Sequence, residues 1–120
     1  TGRARNVNRF THVVKAGPWV MIAGQTASDQ DGNVVGVGDP AAQVGQVMKN
    51  LTTAIESVGG KFEDIVKTTV YVVGEEHLDA VREERSKYRP DKPPTSTLVV
   101  VSRLARPEFI LEIEAVAYSE

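Results

Sequence analysis

Two short runs, Val70-Tyr71-Val72-Val73 and Leu98-Val99-Val100-Val101, carry apolar side chains on successive residues. Successive side chains of a strand point to opposite faces, so a sheet built from these runs is apolar on both sides and both sides need cover. The remaining sequence supplies only two helical patterns. Two helices packed on one side leave the other bare, and a bare apolar face of that size is one a monomer rarely tolerates. The pattern therefore predicts a symmetric oligomer with its sheets facing inward.

The first helical pattern opens at Asp39-Pro40, an N-cap residue followed by a proline at the first helical position. Val44, Val47, Met48, Leu51, Ala54, Ile55 and Val58 then recur at helical spacing until Gly59-Gly60 stops them. A second, shorter helix is expected over residues 75–88, with Leu78, Val81 and Tyr88 on its apolar stripe and Pro90 and Lys92-Pro93-Pro94 beyond its end.

Strands are expected over residues 10–15 and 19–24, separated by Ala16-Gly17-Pro18, and over 65–73, 97–102 and 109–118. Leu111, Ile113, Ala115 and Ala117 fall on one face of the last strand. Asp31-Gly32 is a hairpin turn signal. The order is ββ, α, β, α, ββ, an α+β chain with a mixed sheet and two helices on one face.

At 120 residues, with no repeat or linker, the whole of 1–120 is expected to be one domain, residues 1–8 being a flexible or pairing segment. The net charge of -2 and a pI near 5.7, with acidic and basic residues interspersed, oppose nucleic acid as a partner. The absence of cysteine removes disulfides, thiol nucleophiles and thiolate metal sites, and suits the cytoplasm. No apolar run is long enough to span a membrane, and residues 1–8 lack the hydrophobic region of a signal peptide. The missing initiator Met suggests processing or trimming of the chain.

Few residues carry chemistry. Glu112 and Glu114 lie two apart on a strand and share a face, where paired carboxylates can position water or raise one partner's pKa. A merely polar face bonded to cations or backbone is the plainer reading. Ser96 and Thr97 can bond a ligand carbonyl or phosphate, although strand hydroxyls commonly satisfy neighbouring backbone. Arg103 and Arg106 flank the last loop as anchoring cations or as members of salt bridges between subunits. Residues 36–40 precede a helix without the spacing of a nucleotide-binding loop. His12 and His77 stand far apart with no metal-ligand spacing, so no metal and no cofactor is expected, and no nucleophile elbow is present.

Three segments together carry a family resemblance: Ala23-Gly24-Gln25, Gly60-Lys61-Phe62-Glu63-Asp64-Ile65-Val66-Lys67-Thr68-Thr69-Val70-Tyr71-Val72, and Glu112-Ile113-Glu114-Ala115-Val116-Ala117. Over residues 10–117 the chain resembles the Rid (YjgF-type) family. The resemblance implies a chorismate-mutase-like fold, a homotrimer, and small-molecule clefts between subunits. It also implies imine deamination, with an arginine holding the substrate carboxylate and a glutamate positioning the attacking water.

Glu112 matches the family's glutamate. Ser96 stands at the arginine position, Ala23 at that of a pocket serine, and Phe10 at that of a pocket tyrosine. A hydroxyl cannot reproduce a bidentate guanidinium clamp, which marks a divergent member for which 2-iminopropionate is a poor substrate. The expected site is therefore Glu112 as the water-positioning group, with Phe10, Ala23, Gly24, Ser96, Thr97 and Arg103 around the ligand. The expected activity is hydrolysis of an enamine, an imine or a related C–N compound, and the alternative is a non-catalytic metabolite-binding or stress-protective module using the same cleft. The endoribonuclease or translation-inhibitor role that the family name also carries finds no basic stripe or aromatic platform here.

Overall fold

The structure, a computed structural model, describes residues 2–5 and 11–120. Phe10 lies outside the described residues. Asp39 caps the first helix, α1 (Pro40–Glu56), its side chain accepting a hydrogen bond from the Ala42 N–H at 3.1 Å. Val44, Val47, Met48, Leu51, Ala54 and Ile55 are buried along one stripe of α1. At its end Gly59 adopts a φ of +86°, and the Gly60 N–H donates back to the Ile55 carbonyl at 3.0 Å. Only glycine enters that left-handed region at no steric cost, which explains the Gly-Gly stop.

Six strands form one sheet among the described residues: β1 (Gly2–Arg5), β2 (Thr11–Ala16), β3 (Trp19–Gln25), β4 (Ile65–Val73), β5 (Thr95–Val101) and β6 (Leu111–Tyr118), in the order β1-β2-β3-β6-β4-β5. β2 and β3 are an antiparallel hairpin closing on Ala16 and Trp19, with Gly17 at a φ of +60° in the two-residue turn. β4 and β5 are parallel, so the chain must cross over between them, and it does so through α2 (Leu78–Ser86). The other pairings are antiparallel, and the sheet is mixed as expected.

Two expectations need adjustment. The second helix is shorter than residues 75–88, because Glu75–His77 forms a separate 3-10 turn before α2. Asp31-Gly32 does make a tight turn, stabilised by Asp29 accepting from the Asp31 and Asn33 N–H groups at 2.9 Å each. It joins only an isolated bridge, Ser28 to Val34, and not a pair of strands.

The core lies between the helices and one sheet face. Val13, Val20, Ile22, Val70, Val72, Leu111, Ile113, Ala115 and Ala117 meet the α1 stripe and Val81 of α2 in one apolar cluster. Full burial of a side chain such as Leu51 or Ile55 is worth about 1.5–3 kcal/mol. Gln43 is the polar pin of this core. Its amide donates to the Gly36 and Glu108 carbonyls at 3.1 and 2.9 Å and accepts from the Ile110 N–H at 2.8 Å, fixing the loop that leads into β6.

The opposite face carries the alternate side chains. Trp19 and Tyr118 pair edge to face there, ring centroids 5.0 Å apart, and are 45% and 41% exposed. Met21, opposite Val116, is 46% exposed. No described helix is long and apolar enough to cross a membrane.

Candidate functional site

Glu112 is flanked along β6 by the buried Leu111 and Ile113, so its side chain emerges on the open face of the sheet. Glu114 emerges beside it, the two glutamates pairing with Tyr71 and Thr69 of β4. The expectation that both carboxylates share a face holds.

What seats Glu112 is an irregularity in β3. Ile22 pairs with Ala115 but Gln25 with Ile113, so three β3 residues span two on β6, as in a β-bulge. The bulge brings the Gly24 backbone under the Glu112 side chain. A Cβ built on Gly24 would lie 2.6 Å from Glu112 Cδ and would overlap its Oε2 atom. The missing side chain at Gly24 is the seat of the carboxylate. Ala23 forms the other part of the bulge, and its carbonyl accepts from the Gln25 amide at 2.9 Å, an amide whose Nε2 is 3.1 Å from His12 Nδ1.

The two carboxylates are treated differently. Tyr71 donates its hydroxyl to Glu114 Oε1 at 2.5 Å, so Glu114 has a hydrogen-bond donor. The same contact, with burial, raises the Tyr71 phenol above its ordinary range. Glu112 has no such donor among the described residues. Burial first, and the neighbouring Glu114 charge second, push its carboxyl above the usual carboxylate range. A raised carboxylate held open on one face can accept a proton from water.

The other expected residues do not gather at this point. Ser96 pairs with the buried Thr68 and lies on the helix side of the sheet, where it accepts from Arg85 Nη2 at 3.3 Å. Thr97 pairs with Thr69 and so shares the open face with Glu114, on the edge strand beyond β4. Arg103 folds onto its own loop, donating from Nε to the Leu104 carbonyl at 3.0 Å and from Nη2 to that of Ala105 at 3.4 Å. Arg106 donates to the Gly32 carbonyl at 3.2 Å and stacks over Phe109. Within one protomer, then, Glu112, Glu114, Gly24, Ala23 and Tyr71 form the cluster. Tyr71 is a member that periodicity does not single out, because its partner is set by the β4–β6 register.

The model of the Endoribonuclease L-PSP family matches residues 2–119. A RutC family protein of Pyrococcus horikoshii is 32% identical over 114 residues, covering 95% of this chain and 90% of its own. RidA from an Antarctic Psychrobacter superposes with a TM-score of 0.86 at 26% identity, over 95% of this chain and 91% of that one. The chain is a Rid-family protein. Escherichia coli TdcF, solved with bound serine, shares the Rid fold at a TM-score of 0.86 and 24% identity, over 96% of this chain and 91% of that one. The α+β, chorismate-mutase-like architecture implied by the sequence is thus the observed one.

Proposed function

We propose that this Rid protein is a homotrimer that binds a small molecule in the clefts between its subunits, and that Glu112 positions water there to hydrolyse an enamine, an imine or a related C–N compound. The observation that carries this reading is the seating of the Glu112 carboxylate over Gly24, where burial and the Glu114 charge make it a better proton acceptor than an ordinary glutamate. In this reading Glu112 takes a proton from water as the oxygen adds to the C=N carbon. Return of that proton to nitrogen gives a carbinolamine, and a second proton, from the new hydroxyl, passes to nitrogen as the C–N bond breaks, releasing ammonia and leaving a carbonyl. The whole chain acts as one domain, in the cytoplasm.

The trimer reading is supported by the partly bare Trp19, Met21 and Tyr118 on the open face, and by the family. Phe10, Ala23, Gly24, Thr97, Ser96 and Arg103 would reach one ligand only if adjacent protomers each contributed some of them, because Ser96 and Glu112 stand on opposite faces of one protomer's sheet.

A second reading, binding without turnover, is favoured by Arg103 being spent on its own loop carbonyls and by a serine in place of an arginine at position 96. Ammonia release from freshly generated 2-iminopropionate and from a neutral enamine decides between the two, with molecular mass measured by light scattering on the same sample. Release above the buffer rate that is lost in Glu112→Gln supports catalysis. Unchanged release in Glu112→Gln removes Glu112 from the mechanism, and saturable binding without release establishes the second reading.

A further inference from the structure

On the helix side of the sheet, a cavity of about 370 Å³ opens between α1, α2, the start of β5 and the loop after α2. That volume is within the range of small-molecule sites. Its floor is apolar, built from Met48, Leu51, Phe62, Ile65 and Ile113. Its rim carries three arginines, Arg82, Arg85 and Arg89, and no Asp or Glu lines it.

Arg85 is the informative member. It is partly buried, yet it has no ion pair among the described residues, where the one salt bridge is that of Lys87 with Glu84. Its Nε is buried without any hydrogen-bond partner, and its one bond is the long contact from Nη2 to Ser96. An unsatisfied buried donor on a charged group is costly, and a like charge nearby adds to that cost. Burial and Arg89 together lower the Arg85 pKa, which is the sign of a cation lacking its counter-charge. A guanidinium fork matches an oxyanion in geometry as well as in charge.

We propose that this cavity is a binding site for a small carboxylate with an apolar body, its carboxylate held by Arg85 with Arg82 and Arg89 at the rim and its hydrocarbon part on the Leu51–Phe62–Ile113 floor. Arg85 must reorient slightly as the ligand enters, because its Nε is closed to solvent. The site lies across the sheet from Glu112, shares only Ser96 with the residues proposed around the ligand there, and does not use Glu112.

The test uses the full chain, with 4-methylpentanoate, its neutral amide and inorganic phosphate as probes, followed by calorimetry and by backbone amide shifts. Saturable binding of 4-methylpentanoate is expected, with the largest shifts at Leu51, Phe62 and Ser96, little binding of the amide, and weaker binding of phosphate. Arg85→Met should raise Kd by about 10-fold or more, Arg85→Lys by less, while ammonia release at the Glu112 site is unchanged. No saturable binding up to millimolar concentrations overturns the proposal. So does binding that Arg85→Met leaves intact, or a shift pattern centred on Gly24 and Glu112. Phosphate binding as tightly as the carboxylate would overturn the apolar part of it.

Discussion

The Glu112 carboxylate occupies the volume that a side chain on Gly24 would fill, so the two residues define one seat from opposite strands. Gly24 is not required by its backbone conformation, since its φ is not among the positive ones, and its role is steric. Gly24→Ala should therefore displace Glu112 rather than break the fold, the carboxylate being the movable end of a flexible side chain. The expected result is a stability loss within about 1.5 kcal/mol in urea unfolding, together with loss of any activity that Glu112→Gln also abolishes. Full activity in Gly24→Ala would mean that the seat has no functional consequence.

The raised Glu112 carboxyl makes a pH-dependent prediction. The folded chain holds this proton to higher pH than the unfolded chain does, so ionising Glu112 costs stability. That cost is absent below the ordinary carboxylate range, grows as pH rises through the raised value, and is fully present above it. Glu112→Gln removes it. At pH 7 the variant should melt above the parent, and the difference should vanish near pH 3. A variant less stable than the parent at pH 7 would show that Glu112 is stabilised as an anion, contrary to its surroundings.

Met21 offers a test of assembly. It is nearly half exposed on the open face, so Met21→Glu in an isolated protomer should change stability by no more than about 0.5 kcal/mol. In a trimer closed through this face the new charge is buried without a partner, and the particle should fall from about three times 13.0 kDa towards a single chain. Light scattering across a concentration series separates these outcomes, and an undisturbed trimer would place the interface elsewhere.

Gln43 tests the core. Its three hydrogen bonds to Gly36, Glu108 and Ile110 are made by a side chain that is fully buried. Gln43→Leu keeps the approximate volume but leaves these backbone groups without partners, and should cost roughly 2–4 kcal/mol in urea unfolding. A loss below about 0.5 kcal/mol would mean that water replaces the side chain without penalty.

Much of this was legible in the chain itself. Asp39-Pro40 and Gly59-Gly60 bound α1 because capping and positive φ are local properties of a few adjacent residues. The two-residue period of β6 put Glu112 and Glu114 on one face before any fold was known, because pleating depends only on the strand. Net charge, the absence of cysteine and the doubly apolar runs follow from composition and order alone.

The tertiary structure decided which of these residues meet. The bulge at Ala23-Gly24 and the β4–β6 register determine that Gly24 lies under Glu112 and that Tyr71 reaches Glu114. Ser96 falls on the helix side because β5 runs parallel to β4 in a register that aligns it with Thr68, and that same register brings it to Arg85 of α2. Register and crossover are set by the burial of residues distant in sequence, so no local pattern could specify them. The sequence by itself determined the elements, their faces and the chemistry available, while packing between distant elements determined where that chemistry is concentrated.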